Sequence, residues 1–315
     1  MDKIQAGKNK TLTNFKYLTG VSLRGDFCIF PNQKKMKRYL IVLFALILSV
    51  SAFAQQNPEI KISSYNLRMD TPSDSLNAWP LRKEKVKALI QYHDFDIVGT
   101  QEGFVHQIKD LLEMPGFAYV GAGRDDGKTA GEHSAILYKT DLFKLLDSGN
   151  FWLSETPDKP GLGWDAKCCN RIASWALFED KWTKKEFYVF NAHFDHQGVV
   201  ARKESGKLMV KKIQEIAKDK PVICTGDFNS TPDTEQIVSL SALLGDAYKV
   251  TKMPPYGPVG TSNAFKFTAP MKNRIDYVFV SKDFEVLKYA VLTDALDQRY
   301  PSDHLPVVAT VRFVK

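Results

Sequence analysis

Four hydrophobic runs of strand length in this chain each stop on a short polar motif and a fifth begins just after one, and the motifs together carry enough oxygen and imidazole groups for one reactive centre. They are SYNLR with Asn66, TQE with Glu102, NAHFDH with His193 and Asp195, GDFN with Asp227 and Asn229, and SDH with Asp303 and His304. A polar group carried past an apolar run is costly to bury alone, so each ending must meet water, a partner or a cation. Five such motifs constrain the fold, because the strands must lie so that their ends converge. Carboxylates and amides suit a hard divalent cation such as Mg2+ or Mn2+, and histidines beside them suit phosphate-ester hydrolysis.

Between the motifs, strand and helix patterns alternate. Runs at 60–67, 96–100, 134–138, 172–178, 187–193, 221–226, 275–280 and 306–313 are β-branched or aromatic and bounded by turn residues, which predicts strands. Helical spacing covers 81–92, 104–113, 201–218 and 234–244; in the first, Val86, Leu89 and Ile90 share one face, with Leu81 and lysines on the other. Loops rich in Gly and Pro at 121–131, 155–163 and 253–264 are places for substrate specificity on a rigid scaffold. No internal repeat or linker calls for a second folded domain.

GDFN at 226–229 followed by SDHLPV at 302–307 is a specific pair of signatures, and the order of all five motifs resembles the endonuclease/exonuclease/phosphatase superfamily over residues 59–315. AWPLRKEKV, GRDDGK, FWLSETPD and GWDA are similar to a bacterial exported branch near the CCR4/nocturnin group. The resemblance implies a four-layer α/β/β/α sandwich of the DNase I type, with the site at one end of two packed sheets. Two sheets that bury their facing sides under outer helices fit the strand and helix patterns independently.

The same resemblance makes Glu102 the principal metal carboxylate, with Asn66 binding the ion or orienting Glu102, and Asp303 completing the metal site or tuning His304. Asp227 is the group expected to orient or deprotonate the attacking water. Asn229, two residues on and on the same side of an extended segment, would hold the phosphate. His304 is expected to contact the scissile phosphate, and His193 to be the second phosphate or leaving-group histidine, oriented by Asp276 of RIDYVF. Taken singly, such residues more often cap strands or close salt bridges; the constellation reverses that preference. Arg124 and Arg171 are candidate phosphate clamps, since guanidinium offers paired donors, although Asp125 and Asp126 offer Arg124 a surface ion pair. Asp195 and His196 are secondary candidates.

The first 54 residues read as a leader. Basic residues at 37–38, an apolar stretch from Tyr39 to Val50 and Ala52-Phe53-Ala54 form the succession of a secretory signal peptide at 36–54, with Met36 as the expected start and cleavage after Ala54. Residues 55–315 are then one phosphoesterase domain in a secreted or periplasmic protein. The leader carries nine of the 43 Lys and Arg and two of the 36 Asp and Glu, so 34 of each remain and the net charge of the rest is zero. A protein that grips polyanionic nucleic acid usually shows a basic footprint, so a secreted nuclease is the second reading behind a small phosphorylated substrate, and a non-catalytic binding module the third. Cys168 and Cys169 are adjacent in a loop, where a disulfide, free thiols or a metal contact all remain open, and Cys224 lies in an apolar run.

Overall fold

Two βαβ units supply the strand pairs on which the molecule is built. In the computed structural model, which describes residues 34, 36–38 and 58–314, β1 (Ile60–Asn66) runs through α1 (Trp79–Tyr92) into β2 (Ile97–Gln101), and β7 (Glu186–His193) through α3 (Val199–Ala217) into β8 (Val222–Asp227). Each pair is parallel, as a helical crossover requires. Both pairs therefore bring their C-terminal ends to the same side of their sheets, and those ends carry Asn66, Glu102, His193 and Asp227. Apart from 36–38, the leader expected over 36–54 lies outside the described residues.

The remaining elements widen each pair to six strands. These are α2 (Val105–Leu111), β3 (Phe117–Val120), β4 (Ile136–Lys139), β5 (Phe143–Trp152), β6 (Ile172–Asp180), α4 (Glu235–Leu243), β9 (Gly245–Asp246), α5 (Ala247–Val250), β10 (Asp276–Val280), β11 (Phe284–Val291) and β12 (Val307–Phe313). One sheet has the order β11-β12-β1-β2-β4-β3 and the other β5-β6-β7-β8-β10-β9. Ile60, Ile62, Ile97, Val307 and Ala309 of the first meet Phe187, Val189, Ile223, Val278 and Val280 of the second in the central core. On the outer face of the first sheet, Trp79, Val86, Leu89 and Ile90 of α1 pack on Tyr65, Val98 and Leu137. Outside the second, Met209, Ile213, Ile237 and Leu240 pack on Phe190, Cys224 and Phe279. The result is the expected four-layer α/β/β/α sandwich.

Three strands of ordinary length, β3, β5 and β11, carry no expectation from the sequence patterns. Bulges explain two of them: the register shifts between Leu145 and Asp147 in β5 and between Val286 and Lys288 in β11, so the alternation of faces breaks midway. β3 is four residues long and only Val120 is fully buried. The helix expected from 81 begins earlier, at Trp79, with Pro80 in its first turn, where a missing N–H costs nothing.

Side chains on a strand alternate, and this alternation carries the inner faces of the strands from core to site. Residues 60, 62, 64 and 66 face inward on β1, as do 189, 191 and 193 on β7, 223, 225 and 227 on β8, and 276, 278 and 280 on β10. Between the apolar core and the strand ends lies a polar layer. Gln101 Nε2 donates to Asn191 Oδ1 at 2.7 Å, Thr225 Oγ1 to the same oxygen at 3.0 Å, and Asn191 Nδ2 to the carbonyls of Thr100 and Ala135 at 2.8 and 2.9 Å. Gly99 faces this layer, and a Cβ there would lie 2.0 Å from Thr225 Oγ1, so glycine lets the sheets approach.

The start of β10 is fixed by a buried ion pair. Arg274 donates through Nη1 and Nη2 to Asp246 Oδ1 and Oδ2 at 2.8 and 2.7 Å, sandwiched between the Tyr248 and Tyr277 rings. Both partners are 2% exposed. Removing one partner of such a pair strands the other charge, at a cost of about 3–5 kcal/mol. Asp246→Ala should therefore lower the melting temperature by many degrees in thermal unfolding; a melting temperature close to wild type would show that the pair is dispensable.

Candidate active site

At the converging strand ends, Asn66 joins the two sheets. Its Nδ2 donates to Glu102 Oε1 and to Asp227 Oδ2, both at 2.9 Å, and its Oδ1 accepts the Arg68 backbone N–H at 2.9 Å. Glu102 Oε2 accepts the Met69 N–H at 3.1 Å. The chain bends sharply here: Glu102 has φ 64° and Asn229 φ 47°, left-handed values that Asn tolerates and Glu rarely adopts. Arg82 of AWPLRKEKV supports the bend from below, donating to the carbonyls of Leu67, Arg68 (2.6 Å) and Pro301 (3.2 Å), which ties the exit of β1 to the approach of β12.

His193, Asp227 and Asp276 lie side by side on β7, β8 and β10, since Asp227 is in register with both others. Asp276 is therefore two strand spacings, roughly 9–10 Å, from His193 in backbone terms and does not orient it. This corrects the pairing expected from the sequence. Asp276 Oδ2 instead meets His304 Nδ1 at 2.9 Å and accepts Thr261 Oγ1 at 2.6 Å. His193 turns Nε2 toward Asn229 Nδ2 at 3.2 Å, and Asn229 Nδ2 also donates to the Phe194 carbonyl at 3.1 Å.

Environment drives these groups apart. Burial and the neighbouring Asp276 push Asp227 up to about 7 against the pull of His304. Burial alone would lower His304, but Asp276 and Asp227 hold it well above the usual histidine range, so it carries a proton at neutral pH. Burial, Arg171 and Arg124 take His193 well below that range, so it is neutral. The two histidines thus differ in charge. Burial raises Glu102, but His304, the Asn66 amide, the Met69 N–H and Arg68 more than offset it.

Among the described residues, two sets of three side chains bring ligand atoms within 4.8 Å of one another: Glu102, His193 and Asp227, and Asp227, Asp276 and His304. In the second, His304 Nδ1 is engaged with Asp276 and the ring is protonated, so it has no lone pair to give. The first set fits a divalent cation. Its two carboxylates are held together by the Asn66 amide and its histidine is neutral, a donor set that suits a hard or borderline ion. Asp303, expected to complete the metal site or to tune His304, is in neither set; it lies within reach of the charges of Glu102 and Arg68, its carboxylate lies 3.5 Å from Ser302 Oγ, and its charge helps hold the His304 proton.

The site opens into a cavity of about 290 Å³ lined by Arg68, Met69, Glu102, Arg124, Glu132, Cys169, Arg171, His193, His196, Asp227, Asn229 and His304. Both candidate clamps are in it. Arg124 Nη1 pairs with Glu132 Oε2 at 2.5 Å, while Asp125 stands 4.0 Å away and Asp126 binds backbone N–H groups of its own loop. Arg171 meets His196 Nδ1 at 2.7 Å and Asp195 Oδ2 at 3.5 Å. Cys168 and Cys169 form a disulfide, and Cys224 is a buried thiol.

Glu132, Arg68 and Arg82 carry no expectation from the sequence. Glu132 ends a glycine-rich loop instead of an apolar run, and the signal that would find it is the hairpin-like GRDDGKTAGE segment, closed by the Arg124 N–H on the Glu132 carbonyl at 3.0 Å.

A model of the endonuclease/exonuclease/phosphatase family matches residues 63–304. A solved structure of a protein of that family from Bacteroides thetaiotaomicron is 44% identical, with a TM-score of 0.79 over 82% of this chain and 100% of that one. The mannosyl-6-phosphatase of the same organism is 45% identical, with a TM-score of 0.77 over 81% of this chain and all of that one. The human nocturnin catalytic domain shares the fold at 21% identity, with a TM-score of 0.65 over 82% and 94% of the two chains.

Proposed function

From the membership of this chain in the endonuclease/exonuclease/phosphatase family, we propose that it is a divalent-metal-dependent phosphoesterase that hydrolyses a small phosphorylated sugar by attack of water on phosphorus. The observation that carries this reading is the cavity: a single recess of about 290 Å³, walled by Arg124, Glu132 and Arg171, suits a monosaccharide phosphate. The likeness to a mannosyl-6-phosphatase supports the same class of substrate. Zero net charge beyond the leader weakens the nuclease reading.

Glu102 and Asp227, braced by Asn66, would hold Mg2+ or Mn2+ with His193 beside them. A bound divalent cation supplies Lewis-acid polarisation of the phosphoryl group and favours the deprotonated form of nearby water. With the cation bound Asp227 would be ionised, and it would orient the attacking water and take up its proton. His304 donates a charged hydrogen bond to a phosphoryl oxygen as negative charge develops there, and Asp276 fixes its ring and its proton. Asn229 and neutral His193 offer hydrogen bonds on the other side. Arg171, anchored by Asp195, and Arg124 add fixed positive charge to the wall.

The reading is tested by assaying the purified protein with Mg2+ or Mn2+ against sugar phosphates, inositol phosphates, nucleotides, phospholipid head groups, RNA and DNA. Phosphate release from a sugar phosphate should exceed every other activity. Efficient cleavage of RNA or DNA with no activity on sugar phosphates would replace it with the nuclease reading.

A further inference from the structure

We propose that Glu132 determines substrate specificity by accepting hydrogen bonds from hydroxyl groups of the substrate's sugar. The proposal rests on the phosphoesterase reading above.

An anionic wall residue is unfavourable in a recess that must receive a phosphate. Glu132 lines the cavity with a side chain only 10% exposed, and burial pushes it up to about 7 despite Arg124. Its Oε2 is committed to Arg124 Nη1 at 2.5 Å. The same oxygen is 3.9 Å from His193 Nδ1, too far for a hydrogen bond, so Glu132 is not the carboxylate that orients that histidine. Its Oε1 makes no hydrogen bond among the described residues. Arg171 on the same wall is held by His196 and Asp195, with its Nη1 left free to donate.

A carboxylate oxygen left without a donor wants hydroxyl groups from the ligand, and a sugar brings several. The Arg124 pair fixes the carboxylate in the wall of the cavity. Cys169, joined in the disulfide, also lines the cavity and adds a weakly polar surface to it. Merely holding Arg124 would leave the identity of the substrate's alcohol without effect; accepting its hydroxyls makes that identity decisive.

The test compares wild type, Glu132→Gln and Glu132→Asp on mannose 6-phosphate and on p-nitrophenyl phosphate, whose leaving group has no further hydroxyl. Loss of the acceptor for a substrate hydroxyl should lower kcat/KM for mannose 6-phosphate by about 10- to 100-fold more than that for the aryl phosphate. The Asp variant keeps the charge but withdraws the oxygen by one methylene, and should show the same selective loss where the Gln variant fails to fold by thermal unfolding. Parallel losses on both substrates, or no loss on either, would overturn the role of Glu132 and leave the phosphoesterase reading standing. A wild-type enzyme that releases phosphate from neither compound, nor from any other phosphate ester of the panel above, would overturn both.

Discussion

Asp227→Asn should lower kcat by about a thousandfold, within the range of lost general-base catalysis, while making the metal-free protein more stable at alkaline pH. The two effects have one cause. Asp227 is fully buried beside Asp276, and its folded pKa near 7 lies above the ordinary 3.8. A carboxyl raised in this way binds its proton more tightly folded than unfolded, so its stabilising contribution is complete below about pH 4 and is lost as pH rises through 7. At pH 8 the metal-free wild type carries a desolvated, repelled charge that asparagine lacks. The variant should melt several degrees higher than wild type in excess chelator at pH 8, with the gap closing toward pH 4. An Asn variant that is less stable than wild type at pH 8, or one that keeps full activity, would remove Asp227 from the role of buried base.

The second large effect belongs to the pair of His304 and Asp276. His304→Gln should reduce kcat by roughly a hundredfold, the usual size of a lost charged donor to a transition state. Asp276→Asn leaves the imidazole in place but removes the largest influence that keeps it protonated. The cationic ring should then give up its proton at lower pH, moving the alkaline limb of the kcat/KM profile down by about one to three units, the range for loss of an adjacent opposite charge. Loss of activity without movement of that limb would mean that Asp276 only holds the backbone of β10.

The core and the site ends of the strands were legible because both depend on alternation. Ile223 and Asp227 on β8, like Val189 and His193 on β7, share a face, so a strand that buries its odd residues must deliver its last odd residue to the gap between the sheets. Which partners meet there is a matter of register across strands, which one sequence does not display. The resemblance pairs Asp276 with His193, whereas Asp227 intervenes between them and His304 arrives from the segment before β12. β5 and β11 were hidden by bulges, and Glu132 by its place in a loop whose closure on Arg124 follows from the fold. The charge difference between the two histidines depends on the arginines around one and the carboxylates around the other, which only three-dimensional neighbours reveal.

The most direct test of a metal-dependent phosphoesterase centred on Glu102 and Asp227 is the initial rate of phosphate release from the best sugar phosphate as free Mg2+ is raised from excess chelator to saturation, for wild type and Asp227→Asn side by side. Wild-type activity should be absent in chelator and rise to a plateau with metal, while the variant stays near background throughout. Full wild-type activity in excess chelator, or a variant that follows the same curve to the same plateau, would contradict the account.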